Sequence, residues 1–468
     1  EGPLESILRI PTWKKALDAP TNTYSPYNVP YIDGFFSYLS SQLLNTHNII
    51  HGIDYYGSVI GRQSEFKYNA IDDIEVLEDS SYFLDNIDKL FTLDPITHQE
   101  ITRGSMKKKP KLTIASNRSE ELQDIMQLED LSENDGTELQ TLISSDDLVD
   151  VNETFLDSEA ISTLDGLPNS DSESEGSSGY CSSRTSVTSS SGSSSNSECD
   201  NDSESSSDCD SEDETPMLIN MKNFPVHLSF LEKCDTTLDS LIVHSDDNPI
   251  EEKQWESLIF QIIVTLYSYQ KAFLFTHNDL HSNNIMYTKT EKPYVYYKIE
   301  GMHYKVPTFG KIFKIIDFGR SIYKFRGEIV ASGSFGPKGE AEGQYNCEPF
   351  LDESKPRIDP NFSFDLCRLA TSIYDYIVGD SEEDVDLPIL KMIINWCKDD
   401  KGRNVLYKSN GEERYPDFKL YKMIARTVHN HTPAMVLRDS IFRKFVVSRK
   451  SINKSQRIMN IDNLPCYT

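Results

Sequence analysis

The sequence lacks the features that would define its class directly. No run approaches the roughly 20 apolar residues that span a bilayer, because the best stretch, 258–264, is short and contains Gln261. The eight cysteines show no CxxC spacing, so neither a zinc site nor a disulfide framework is predicted. Basic residues are scarce, with 46 Lys and Arg against 75 Asp and Glu. We therefore expect a soluble protein of a reducing, cytoplasmic compartment, with no membrane contact and no direct binding to nucleic acid, which needs clustered positive charge.

Hydrophobic residues are also scarce, and the deficit coincides with the negative charge. Hydrophobic content is 37%, against a usual share of roughly 45–50%. Residues 113–216 hold 27 acidic and two basic residues, a net charge of −25, which leaves only −4 of the total −29 for the rest of the chain. Nearly half of residues 170–211 are serine. Because such a segment buries too little apolar area to offset its backbone entropy, we predict a disordered acidic insert at 113–216.

The insert has two interpretations. It is either a solvated spacer or a segment that binds a partner, because its first half alternates acids with apolar residues. Serines followed by acids, as in 203–208, also make it a candidate for phosphorylation by an acid-directed kinase.

Folded elements are predicted on both sides of the insert. Phe35, Leu39 and Leu43 recur at helical spacing, and residues 48–53 read as a strand. Beyond the insert, apolar residues with a helical period predict a long helix at 251–273. The other predicted elements are β segments at 225–231, 294–299, 303–306 and 311–316, followed by helical patterns to about residue 445.

Two motifs carry chemistry. The first is Thr-His-Asn-Asp-Leu-His-Ser-Asn-Asn at 276–284, directly after the long helix. The second is Lys-Ile-Ile-Asp-Phe-Gly-Arg at 314–320, directly after a β segment. The first fits H-x-D-L-x-x-x-N and the second contains D-F-G, and they occur in this order on the expected elements.

Both motifs resemble the catalytic and metal-binding loops of the protein-kinase-like superfamily, over about residues 30–377. The surrounding sequence is similar to serine/threonine kinases of large DNA viruses, with some haspin-like character. The resemblance implies an α+β, bilobal fold with a small β-rich N-lobe and a larger, mainly helical C-lobe. The implied segments are a partial N-lobe at 1–112, the acidic insert at 113–216 between the fourth and fifth N-lobe strands, the last strand and hinge at 217–235, the C-lobe at 236–445 and a tail at 446–468.

The resemblance also implies catalytic roles for three residues. Asp279 would orient an acceptor hydroxyl and take its proton. Asn284 and Asp317 would hold Mg²⁺ against the phosphates of ATP. Asp365 resembles a buried aspartate that anchors the catalytic loop, with a helix N-cap as its alternative.

The adenine of ATP is expected at a hinge after the strand 225–231. Leu231 would be the gatekeeper, and the carbonyl of Glu232 and the amide of Cys234 would pair with the base. A simple strand-to-helix turn is the alternative. Asn278 stands where such kinases usually carry an arginine that reads a phosphate on the activation loop, so we expect weak dependence on that phosphorylation.

Part of the kinase pattern is missing. No glycine-rich loop and strand lysine appear before the hinge, and we expect them upstream of residue 1; Lys14 and Lys15 are candidates for the lysine by position only. The helix glutamate that would pair with it is also missing, and Asp33 and Gln42 are the nearest substitutes.

The resulting expectation is a serine/threonine protein kinase that uses ATP and Mg²⁺ on a protein substrate. Residues 277–281 also resemble the loop of choline and aminoglycoside kinases, so a small-molecule kinase is one alternative. A catalytically impaired, kinase-shaped scaffold that binds partners through the acidic insert is the other.

Overall fold

The fold combines α-helices with several small β-sheets. The computed structural model describes residues 24–73, 77–78, 80–99, 101, 216–243, 249–379 and 381–468. These residues lie within one compact unit and contain four sheets of two to four strands. The predicted α+β class is therefore confirmed. The predicted acidic insert lies outside the described residues, except for its last residue.

Strands and helices are mixed along the chain. The strands are β1 (Tyr55–Asn69), β2 (Phe91–Leu93), β3 (Leu218–Leu231), β4 (Thr236–Thr237), β5 (Ile285–Lys289), β6 (Tyr294–Ile299), β7 (Met302–Pro307), β8 (Lys311–Ile315), β9 (Ile322–Phe325), β10 (Glu328–Ala331), β11 (Val446–Val447) and β12 (Met459–Asn460). The helices are α1 (Val29–His47), α2 (Ser81–Asn86), α3 (Leu238–Val243), α4 (Glu252–Phe273), α5 (Phe364–Val378), α6 (Pro388–Trp396), α7 (Lys419–Thr427) and α8 (Pro433–Val436). A 3₁₀ turn at Ser282–Asn284 precedes β5.

Helix α1 packs its apolar stripe into the main core. Phe36 is fully buried there, together with Ile32, Leu39 and Leu43 at spacings of three and four residues. Phe35, which the sequence pattern placed on the buried face, is instead 37% exposed. Because Phe35 and Phe36 are neighbours, the same helical spacing is compatible with either of them on the buried face. The buried residue Ile32 lies four positions before Phe36, so the buried face is the one that contains Phe36.

The strand predicted at 48–53 is wrong, because this segment is a buried turn. Asn48 ends helix α1 in the left-handed conformation, and the amide of Gly52 donates to the carbonyl of Ile49 at 2.9 Å. A β-carbon on Gly52 would lie 2.5 Å from the carbonyl oxygen of Ser40. The apolar residues of this segment are therefore buried by a turn that only glycine permits, and the strand begins at Tyr55.

A long antiparallel ladder joins β1 to β3. It runs from the pair Tyr55–Leu231 to the pair Asn69–Leu218, and β2 lies on the other side of β3. The strand predicted at 225–231 is the second half of β3. The ladder therefore brings the end of β3, where the hinge is predicted, next to the loop after α1.

Helix α4 is the centre of the C-terminal part. The side chain of Gln254 accepts from the amide of Glu251 at 3.2 Å, which closes the first turn. The apolar positions predicted to face the core are all at most 3% exposed: Trp255, Leu258, Ile259, Ile262, Ile263 and Leu266. No helix in the described part of the chain is long and apolar enough to cross a bilayer.

Two sheets are built mainly from strands that follow α4. Strands β4, β5 and β8 form one, and β6 and β7 pair within the other. Strands β9 and β10 form a hairpin that the sequence did not predict. The amide of Ile322 donates to the carbonyl of Thr276 at 2.9 Å and the reverse bond measures 2.8 Å, so β9 is tied to the first motif.

His51 makes the turn after α1 sensitive to pH. It is fully buried between the carbonyl of Phe313, 3.0 Å from Nδ1, and the hydroxyl of Tyr297, 2.8 Å from Nε2. Burial lowers the pKa of His51 to about 4. The unfolded chain therefore takes up a proton at His51 near pH 6.5, whereas the folded chain does not. The contribution of buried, neutral His51 to the free energy of unfolding is complete above pH 6.5 and is lost as the pH falls toward 4.

We expect the free energy of unfolding to fall by about 3 kcal/mol over this interval through His51 alone. Denaturant unfolding between pH 7.5 and 4.5 measures the slope in the wild type and in His51→Gln. The slope should be smaller in His51→Gln and unchanged in His303→Gln, a control in β7. Equal slopes in all three proteins would contradict the assignment.

Candidate functional site

The two motifs meet where β5 begins and β8 ends. Ile285 pairs with Ile315 in the antiparallel register of these strands. One residue beyond this pair, the amide of Ile316 donates to the carbonyl of Asn284 at 3.0 Å. Asn284 and Asp317 are therefore brought to the same end of one sheet, although 33 positions separate them in the sequence.

The first motif is anchored by helix α5. Asp365 is fully buried, and its two carboxylate oxygens accept from the amides of His277 and Asn278, each at 2.9 Å. Burial raises the pKa of Asp365, and the two amide donors oppose that shift. The N-cap alternative is wrong, because Ser363 occupies the N-cap and Asp365 lies in the first turn.

Asp279 projects from this loop into a cationic environment. The hydroxyl of Tyr421 donates to its Oδ1 at 2.9 Å, Arg320 Nη1 lies 3.9 Å from Oδ2, and Arg368 Nε lies 4.0 Å from Oδ1. Burial favours the protonated acid, but the two guanidinium groups, together with His281 and the hydroxyl of Tyr421, outweigh it and hold the pKa of Asp279 below its usual value. Asp279 is therefore an ionised carboxylate at neutral pH.

Asn284 presents one oxygen toward the same region. Its Nδ2 donates to the carbonyl of Asp279 at 3.0 Å, and no described residue donates to its Oδ1. Asp317 is exposed and adopts a left-handed backbone with φ of 60°. The site thus offers one amide oxygen and one accessible carboxylate, both hard ligands.

This donor set fits Mg²⁺ but not a cage made only of protein. Among the residues that the structure describes, no group of three or more His, Cys, Asp or Glu could hold a metal. Mg²⁺ usually takes one or two carboxylates, retains several waters and binds the phosphates of a substrate. The prediction of Mg²⁺ at Asn284 and Asp317 stays a prediction that the two oxygens support.

Asp33 of helix α1 faces the second motif. Its Oδ1 accepts from the amide of Phe318 at 2.8 Å. Burial, together with the nearby Asp317 carboxylate, raises the pKa of Asp33 to about 6. Of the two substitutes for the missing helix glutamate, Asp33 contacts the metal-loop motif. The candidate lysines, Lys14 and Lys15, lie outside the described residues.

The predicted hinge follows β3. Leu231 packs partly buried against the main core, and Cys234 does the same. No described residue is recorded as a hydrogen-bond partner of the carbonyl of Glu232 or of the amide of Cys234. Burial raises the pKa of the Cys234 thiol to about 11, so this cysteine is a neutral packing group.

Lys314 is a residue of this region that the sequence pattern did not single out. Its ammonium group is buried, pairs with the carboxylate of Glu232 and donates to the carbonyl of Gly52 at 2.8 Å. The same carboxylate accepts from the amide of Asp54 at 2.8 Å. The hinge is thus fixed to β8, three residues before Asp317. The signal that could have indicated it is a lysine placed between the apolar residues Phe313 and Ile315.

Asn278 connects the loop to the segment after the second motif. Its side chain donates to the carbonyl of Arg320 at 3.0 Å and accepts from the hydroxyl of Tyr345 at 2.7 Å. His277 is buried and lies 3.0 Å from the carbonyl of Ile316, which is typical of a structural residue. The neutral contact with Tyr345 is in keeping with the expected weak dependence on phosphorylation, which stays a prediction.

Comparison of the chain with protein-family models finds no match, and comparison with curated proteins finds none either. The motifs and the geometry described above therefore carry the functional assignment.

Proposed function

We propose that the chain is a serine/threonine protein kinase that transfers the γ-phosphate of ATP to protein hydroxyls with Mg²⁺. The observation that carries the proposal is the convergence of Asp279, Asn284 and Asp317 at one end of β5 and β8, with Asp365 holding the loop beneath them. Phosphoryl transfer needs positioning and charge neutralisation more than covalent help. A fixed anionic base beside two oxygen ligands meets that need.

Asp279 acts as the base in this proposal. Its carboxylate is ionised at neutral pH, and its orientation is set by the loop amides bound to Asp365 and by the hydroxyl of Tyr421. An acceptor hydroxyl that donates to Oδ2 becomes aligned for attack and loses its proton to Asp279. Such positioned proton transfer contributes about 10²–10⁴-fold to a rate.

Asn284 and Asp317 supply the oxygens that would hold Mg²⁺, which neutralises charge on the phosphates when bound. Asp317 is exposed, so its carboxylate is accessible to an ion. The base of ATP would lie against Leu231 and pair with the carbonyl of Glu232 and the amide of Cys234. Because Lys314 ties the hinge to β8, both ends of the nucleotide would be held by one rigid unit.

The proposed arrangement is bilobal. Helix α1, β1, β2 and β3 belong to the small lobe, and α4 onward belongs to the large lobe. Asp33 takes the place of the helix glutamate and would receive a phosphate-binding lysine, for which Lys14 and Lys15 are candidates outside the described residues.

The proposal is tested on the purified full-length chain with radiolabelled ATP and Mg²⁺. We expect label on serine and threonine of protein acceptors and its loss when EDTA removes Mg²⁺. A parallel panel of choline, aminoglycosides and other small hydroxylated acceptors should remain unlabelled. Label only on small acceptors would replace the proposal with a small-molecule kinase. Nucleotide binding without transfer to either panel would favour the scaffold alternative.

A further inference from the structure

Tyr421 lies close to the proposed catalytic base but comes from a distant part of the chain. It belongs to helix α7, 142 positions after Asp279, and only 8% of its surface is exposed. Its ring stacks on Phe418 with centroids 5.2 Å apart. Neither motif contains it.

The direction of the hydrogen bonds around Tyr421 is determined by its neighbours. Arg368 Nε lies 2.8 Å from the phenol oxygen, and a guanidinium group can only donate. The phenol must therefore accept from Arg368. Its own proton is then directed to Oδ1 of Asp279, 2.9 Å away, because an ionised carboxylate can only accept.

The ring of Tyr421 also lies close to two guanidinium groups. The guanidinium carbon of Arg368 lies 5.1 Å from the ring centroid and that of Arg320 lies 5.9 Å away. Both guanidinium groups are only about 4 Å from Asp279. Without the phenol, Asp279 would be free to rotate and shorten its ion pair with either arginine.

We propose that Tyr421 is a positioning residue for phosphoryl transfer. The hydrogen bond from Arg368 to the phenol and the bond from the phenol to Asp279 form a relay. This relay fixes Oδ1 of Asp279 and leaves Oδ2 for the acceptor hydroxyl. This inference rests on the proposed function and extends it, because it assigns the orientation of the base to helix α7. The hydroxyl group of Tyr421 is thus required for the rate of transfer and not for nucleotide binding.

The test compares the wild type with Tyr421→Phe under saturating ATP and protein acceptor. We expect kcat to fall about tenfold or more, the value of one hydrogen bond to a charged group, with KM for ATP and the melting temperature unchanged. Tyr407→Phe is the matched control, because its hydroxyl also donates to a carboxylate, that of Asp375 at 2.9 Å, but on the surface. It should keep the wild-type kcat.

A second variant tests the relay in case Tyr421→Phe does not fold. Arg368→Met removes the donor that orients the phenol and also a cation that lowers the pKa of Asp279, so kcat should fall at least as far as in Tyr421→Phe. Wild-type kcat in Tyr421→Phe would overturn the relay while leaving the kinase proposal intact. A change in KM for ATP with unchanged kcat would also overturn it, since that pattern indicates a purely structural role. Absence of transfer by the wild type itself would overturn both proposals.

Discussion

Asp279→Asn is expected to reduce kcat by about 10²–10⁴-fold. The amide is nearly the same shape as the carboxylate, and its oxygen still accepts from the hydroxyl of Tyr421. The fold and the binding of ATP should therefore survive, whereas the proton of the acceptor hydroxyl has no base to go to. Steady-state transfer of radiolabel, with nucleotide affinity measured separately by calorimetry, gives both quantities.

The control for this variant is Asp384→Asn, which makes the same chemical change on an exposed 3₁₀ turn. It should retain the wild-type rate. If Asp279→Asn were equally active, Asp279 would not be the base, and the proposed function would lose its central residue.

Asp317→Asn is expected to reduce transfer by roughly two orders of magnitude or more and to raise the Mg²⁺ concentration needed for half-maximal rate. The substitution removes the only carboxylate of the proposed metal ligands. Asparagine tolerates the left-handed backbone at this position, so any loss reports charge and not backbone strain. The measurement is a titration of the rate with Mg²⁺ at fixed ATP.

Asn48→Asp is the matched variant for backbone effects, because Asn48 also has a left-handed backbone, with φ of 59°, but caps helix α1. Its Mg²⁺ requirement should equal that of the wild type. A normal Mg²⁺ requirement in Asp317→Asn would remove Asp317 from the proposed ligands.

The parts of the fold that were predictable are those set by local pattern. Helix α4 and strands β6 to β8 were predicted within one or two residues, because their apolar periodicity and flanking turn residues are unambiguous. The hairpin β9–β10 was missed because its turn is Arg326-Gly327, with φ of 51° and 87°. That turn needs positive φ at both positions, and the usual sequence signal for it is Asn-Gly or Asp-Gly.

The residues of the site also divide into those that a local pattern indicates and those that it does not. Asp279, Asn284 and Asp317 lie in short motifs, so their sequence context alone indicates them. Tyr421 and the ion pair of Lys314 with Glu232 involve partners more than 80 positions apart. A local pattern can mark Lys314 as unusual, but it cannot identify the partner in such contacts, because they arise only when separate elements pack together.

The ladder between β1 and β3 has a consequence for folding kinetics. Its nearest paired residues, Asn69 and Leu218, enclose 148 positions. Closing such a loop costs about 4 kcal/mol of chain entropy, against about 1 kcal/mol for a four-residue hairpin. The hairpins β6–β7 and β9–β10 close short loops, so the chain entropy lost in forming them is the smaller of the two values. The C-terminal part is therefore expected to acquire its structure first, with the ladder zipping onto it as a late step whose rate depends on the length of the intervening segment.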